Sequence, residues 1–247
     1  MLDLSLFSRP AILAGMIMAV VATGALAGVE LTLAQEQQYV LGITPLQAGI
    51  FMIPIMAAAA VGGPVAGYLF NLCGLCTVTS SSLALSGGAL CYLAQAGFQS
   101  PGFWVPTMLA LLGLPLSIGL TASSIAIMGS VEADKGAAAG SLEATAYELR
   151  TGLGITFFGV FMSSVFSRAI LLPSTLAEPL KDQAVHSIGD SYLVARTLAE
   201  PPATAFIEAA KAAFSTTHLT LLITSSGLTG CLAVVVFIML GSYRRDG

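Results

Sequence analysis

Gln47-Ala48-Gly49-Ile50-Phe51-Met52-Ile53-Pro54 lies in a run, residues 37–131, that holds no Asp, Glu, Lys, Arg or His. A chain folding in water needs solvated charge on its surface, and soluble domains carry roughly a quarter charged residues. Here the 247-residue chain is 56% hydrophobic and only 9% charged. The solvent implied is lipid. A hydrocarbon core about 30 Å thick takes roughly 20 apolar residues per helix, so the run has room for several spans. Its apolar residues follow one another without the period-two alternation of a membrane β-barrel.

Working outward, six apolar segments are each long enough to span: residues 11–33, 46–69, 78–96, 103–128, 138–166 and 216–240. Turn-forming Gly, Pro, Asn and Ser separate the first five, at 42–45, 71–74, 100–102 and 129–136. The sequence therefore predicts an all-α integral membrane protein of six transmembrane helices. It divides into residues 1–170 (helices one to five), a loop at 171–215, and 216–247 (the last helix and a tail). An even number of spans puts both termini on one side. Arg9, Lys135, Arg244 and Arg245 then share that side, while the short turns after the first and third helices hold no Lys or Arg. The positive-inside bias makes that side, and both termini, cytosolic. The apolar run after Arg9 is too long for a signal-peptide core, so no cleaved signal is expected.

Half of the net charge of −4 falls between Pro173 and Lys211 and describes a loop, with no nucleic-acid partner implied. Asp190 can cap a short helix at 191–198 that Pro201 and Pro202 end, and 203–214 reads as a second. Phe206, Ala210, Ala213 and Phe214 fall on one face of the latter, the pattern of a helical hairpin lying on the outer membrane surface; a solvated linker is the other reading. Cys73 and Cys76 form a CxxC at a turn, where small apolar residues at helix ends are the simpler reading than redox or metal chemistry. Gly24 with Gly28, and Gly63 with Gly67, have the GxxxG spacing that lets helices approach closely, and Gly152 and Gly154 add small residues to the fifth segment. Pro54, Pro64, Pro106 and Pro115 can kink their spans.

An ionisable group inside a span is costly and marks function by default. Glu30 sits near the outer end of the first segment, with Glu36 at the helix end. It can bind a cation at the outer mouth or simply reach interfacial water. The fifth segment carries Glu143, Tyr147, Glu148 and Arg150. At 100° per residue, Ser141, Glu148, Gly152, Ile155 and Gly159 line one stripe, and Glu143, Tyr147, Arg150 and Gly154 a second. A carboxylic acid in a dehydrated site can load and release a proton near neutral pH. Ionised, it attracts a lipophilic cation, so proton and cation exclude each other. The alternative is a structural ion pair of Glu143 or Glu148 with Arg150.

Two stretches carry a family resemblance. One is Asp3-Leu4-Ser5-Leu6-Phe7-Ser8-Arg9-Pro10 with Gln35-Glu36-Gln37-Gln38-Tyr39-Val40-Leu41-Gly42-Ile43-Thr44-Pro45-Leu46-Gln47-Ala48-Gly49, then Pro54 and Gly63-Pro64. The other is Gly140-Ser141-Leu142-Glu143, Tyr147-Glu148-Leu149, Gly152-Leu153-Gly154 and Phe158-Gly159. They resemble the last six helices of the fourteen-helix drug:proton antiporters of the major facilitator superfamily, of the QacA and SmvA type. The resemblance implies one half of a major facilitator fold with a long outer loop before the last helix, in a bacterial cytoplasmic (inner) membrane. It implies export of lipophilic or quaternary ammonium cations such as methyl viologen, driven by a proton gradient without a cofactor. Acidic residues matching Glu148 and Glu143 are implicated there in recognising cationic drugs. The partners implied are the lipid bilayer, the drugs and an N-terminal half holding the other wall of the site. Arg150 stands where the family has a small residue, and would modulate the site by pairing with either glutamate. Two other functions compete: an inactive or assembly-only remnant of a truncated transporter gene, and an intramembrane enzyme. The enzyme needs a nucleophile and a base in the bilayer, and the histidines are His186 in the loop and His218 at a helix entrance.

Overall fold

A computed structural model describes residues 10–96, 98, 102–129, 136–173 and 176–243. Among them every regular element is helical. In order they are α1 (Pro10–Gln35), a five-residue π-helical turn (Glu36–Val40), α2 (Pro45–Cys73), α3 (Leu75–Gln95), α4 (Trp104–Gly129), α5 (Gly136–Ala169), α6 (Glu178–Ala184), α7 (Ile188–Ala195) and α8 (Pro202–Tyr243). Four stretches are long and apolar enough to cross a membrane: Pro45–Cys73, Trp104–Ala122, Thr151–Ala169 and Pro202–Ile238. The chain is thus a helical membrane protein. Of the other two expected spans, α1 has 26 residues and α3 has 21.

The polar turns act as the sequence suggests. Thr44 opens α2 with a capping box, its hydroxyl accepting from the Gln47 N–H at 3.4 Å while the Gln47 side chain accepts from the Thr44 N–H at 3.1 Å, and Pro45 follows where no N–H is needed. A single residue, Gly74, separates α2 from α3 with φ +77°, a conformation open to glycine. Pro54 and Pro64 lie inside α2, and Pro115 inside α4.

Packing joins α2 to α4, α3 to α8, and α1 to α5, with α1 also touching α4 and α8. Small residues decide how near these helices come. A Cβ on Gly113 of α4 would collide with the Ile55 carbonyl oxygen, and one on Gly62 of α2 would fall 2.5 Å from Ser117 Cβ. Between α3 and α8 the seam is polar: the Ser226 hydroxyl donates to the Gly87 carbonyl at 2.8 Å. Gly63 and Gly67 are a correction. A Cβ on Gly67 would meet nothing within 4 Å and one on Gly63 only Thr121 Oγ1 at 3.9 Å, so the close approach on α2 belongs to Gly62, one residue earlier. The GxxxG spacing marks a face of the helix, but only the partner helix decides whether that face is covered.

The segment before the last helix also departs from expectation. Ser187, not Asp190, caps α7, its hydroxyl accepting from the Asp190 N–H at 3.1 Å. Residues 203–214 are not a separate helix but the first turns of the 42-residue α8. Their apolar face turns inward: Phe206, Ala210, Ala213 and Phe214 are all buried, in one core with Ile188 and Val194 of α7 and Leu33, Leu93 and Phe166 of the bundle. Burying an aromatic ring in protein satisfies the amphipathic pattern as well as a membrane surface does. Tyr192 completes the docking, donating to the Tyr39 carbonyl of the π-turn at 2.7 Å.

Gly113→Leu should lower the stability of the purified protein by about 1–3 kcal/mol through overpacking, read as a fall in melting temperature in detergent. Gly67→Leu, facing open space, should leave it unchanged.

Candidate functional site

The site is built where α1 crosses α5. A Cβ on Gly24 would lie 2.8 Å from Phe158 Cε2, and one on Gly154 would lie 2.8 Å from the Gly24 Cα, both nearer than side chains tolerate. The two backbones touch, and the Phe158 ring lies across Gly24 and Gly28, where a Cβ would come within 2.9 Å of the ring. Gly24, Gly28 and Gly154 thus serve one contact, whereas Gly152 faces open space.

Beyond this crossing, toward the α6–α7 hairpin, the helices diverge around a cleft of about 420 Å³. Its walls are Ala27, Leu31, Ile155 and Met162, its floor Phe158, and its charge Glu30. The Glu30 carboxylate is half-buried, and among the described residues it has no ion-pair partner. A smaller cavity of about 170 Å³, sharing Leu31, Gly159 and Met162 with the cleft, runs on to Ser163, His186 and Thr217 under the hairpin. The Ser163 hydroxyl donates to the His186 carbonyl at 3.1 Å, tying α5 to the hairpin there. A carboxylate over an aromatic floor in an otherwise apolar cleft suits a flat or lipophilic cation, by charge and by cation–π attraction.

Glu148 lies elsewhere. It is exposed on α5, on the other side of the crossing from Glu30. With Gly24 against Gly154 and Gly28 against Phe158, Glu30 is level with residue 160, so Glu148 is about 18 Å away along the axis at ~1.5 Å per residue. The structure therefore does not bring the two together. The stripe that carries Glu148 does reach the cleft, through Ile155 and Gly159. Glu143, Tyr147 and Arg150 fall in α5, but their side chains lie outside the described residues.

No family model matches the chain. Among curated proteins, methyl viologen resistance protein SmvA of Salmonella typhimurium is 38% identical over 245 residues, covering 99% of this chain and 50% of that protein. The chain is a relative of SmvA-type drug efflux pumps. Multidrug efflux pump LfrA of Mycolicibacterium smegmatis is 25% identical over 214 residues, 87% of this chain and 42% of that protein. A tetracenomycin C resistance and export protein of Streptomyces glaucescens is 26% identical over 131 residues, 51% of this chain. These relatives are named as resistance, efflux and export proteins, none as an enzyme. The chain spans about half the length of the SmvA proteins it matches.

Sequence reading missed Phe158 and Met162 as parts of the site. The available signal was Phe158 four residues past Gly154, a spacing that stacks an aromatic over the next turn of a small-residue face. It also undervalued Glu36. This carboxylate, just past the apolar span, is buried in the π-turn and accepts a 2.8 Å hydrogen bond from Ser215 of α8. Burial pushes its pKa up from the ordinary 4.5, and the Ser215 hydrogen bond pulls the other way. A carboxyl raised in the folded state favours folding at low pH, and that contribution is lost as pH rises through its folded value. Glu36→Gln should therefore melt progressively higher than the parent between pH 4 and pH 7.5, as followed by thermal denaturation across that range.

Proposed function

We propose that the chain forms the C-terminal six-helix half of a proton-coupled exporter of lipophilic cations, with the α6–α7 hairpin outside the cell and both termini in the cytosol of a bacterial inner membrane. The observation that carries this reading is a cleft lined by the Glu30 carboxylate, the Phe158 ring and otherwise apolar residues, in a chain 38% identical to a protein named for methyl viologen resistance. A viologen is an aromatic dication, and the half-buried carboxylate and aromatic lining of the cleft suit its rings and one of its two charges. The carboxylate holds either a proton or the cation, and that competition is enough for exchange.

In this reading Glu148, about 18 Å toward the cytosolic end, is a second acidic station, with Glu143 and Tyr147 on the other stripe of α5 as further members of the site and Arg150 as the cation that modulates it. Support comes from the family pattern around residues 140–154 and from the exposure of Glu148 itself. The partner that would cover this face of α5 is the N-terminal half, whose helices form the opposite wall about a pseudo-twofold axis in major facilitator proteins. Export by the pair, and not by this chain alone, follows.

In a SmvA-type pump carrying this chain as its C-terminal half, Glu30→Gln should weaken cation binding about 10-fold, the loss of roughly 1.4 kcal/mol of charge pairing, and Glu148→Gln should uncouple efflux from the proton gradient. Unchanged dye efflux and unchanged proton uptake in both variants would overturn the assignment. Reconstituted by itself in liposomes, the 247-residue chain should give no proton-driven dye movement; efflux from it would refute the half-transporter reading.

A further inference from the structure

A third cavity at the hairpin end shares no lining residue with the Glu30 cleft or with the smaller cavity that continues it. It occupies about 300 Å³ between the π-turn, the end of α3 and α8, and its polar walls are Glu36, Ser215 and His218. Apolar residues, among them Val40, Phe98 and Leu222, close the rest. Ser215 and His218 are three residues apart on α8 and share a face. Both ionisable side chains are more than nine-tenths buried, Glu36 at 7% and His218 at 4% exposure. The His218 ring is held edge-on to Phe98, centroids 5.3 Å apart. While Glu36 Oε1 takes the Ser215 hydrogen bond, Glu36 Oε2 and both His218 ring nitrogens are buried with no hydrogen-bond partner among the described residues. Each such orphan costs about 1–3 kcal/mol if left dry. A water in liquid takes about 30 Å³ and needs two to four polar partners, so the cavity is roomy and polar enough for several.

We propose that this cavity is a water-filled proton-binding station in which Glu36 and His218 exchange one proton, with Ser215 holding the carboxylate in place. The proton leaves Glu36 Oε2 for a bridging water while that water gives one to a His218 ring nitrogen, so a neutral acid and neutral imidazole become carboxylate and imidazolium. The proposal rests on the reading of the chain as part of a proton-coupled exporter and deepens it by naming where protons are taken up at the outer mouth. Glu36 lies six residues past Glu30, about 9 Å farther out.

The surroundings leave the pair to themselves. On the π-turn, Tyr39 turns to Tyr192 of α7, their rings 5.4 Å apart. On α8, Lys211 is held one turn farther out by Glu208 at 2.8 Å. From α3 come Ala94 and the following Ala96, and neither α2 nor α3 holds any Asp, Glu, Lys, Arg or His. The upward push of burial on the Glu36 carboxyl is in keeping with a group that carries a proton above the usual carboxylate range.

The test uses the full chain in lipid nanodiscs, following by infrared difference spectroscopy the carbonyl band of protonated carboxylic acid as pH is varied. The difference between parent and Glu36→Gln isolates the Glu36 band. In His218→Asn the midpoint of that band should rise by about 0.5 pH unit or more, because the carboxylate loses its proton-accepting partner, and Ser215→Ala should move it the same way. A midpoint unmoved in His218→Asn, with helix content by circular dichroism retained, overturns the proposal. Should His218→Asn not fold, His218→Gln takes its place with the same criterion. No drug enters this measurement, so its failure leaves the Glu30 reading standing, while a coupled pair alongside unchanged efflux in Glu30→Gln and Glu148→Gln would overturn that reading instead.

Discussion

The backbone contact between Gly24 and Gly154 sets the geometry on which the site depends. Two helices whose Cα atoms touch must diverge on either side, and on the hairpin side that divergence opens the cleft. Phe158, one turn beyond Gly154, lies across both Gly24 and Gly28 and lines the cleft that Glu30 also lines. Lipid offers helices no hydrophobic drive to associate, which leaves close van der Waals packing of small residues as the force that holds this crossing together. The same logic recurs at Gly62 and Gly113 between α2 and α4, and at Gly87 between α3 and α8.

Much of the architecture was legible because lipid is an exacting solvent. An uncharged run between residues 37 and 131 has few physical readings, and the turn residues at 42–45 and 71–74 fall at the observed breaks between α1 and α2 and between α2 and α3. The helix face of Gly24 and Gly28 was legible too. What sequence could not tell is which of two equally spaced glycine pairs meets a partner closely: Gly24 and Gly28 are covered by Phe158, while Gly63 has only Thr121 at ordinary contact distance and Gly67 faces open space. Spacing is a property of one helix, and contact of two.

The loop was misjudged for a related reason. Pro201 and Pro202 read as a stop, and 203–214 as a short amphipathic helix. Pro202 instead begins α8, because a proline in the first turn has no hydrogen bond to lose, and the apolar face meets the protein core. The polar cluster at Glu36 was hidden because its members lie 179 residues apart in the chain, joined only by the Ser215 hydrogen bond. His218 read only as a residue at a helix entrance, and its burial beside a carboxylate emerges from the packing of α8 on the π-turn.

The continuity of α8 carries a mechanical consequence. Its 42 residues make a rod about 63 Å long at ~1.5 Å per residue, twice the hydrocarbon thickness of a bilayer. One end is gripped by α7 through the buried Phe206 and Phe214, and the shaft is keyed to α3 at Ser226. A rod held at both places has no internal joint to absorb a change at the hairpin. Tilting the hairpin therefore swings the far end of α8, making the short helices before it a handle on the opposite end of the bundle.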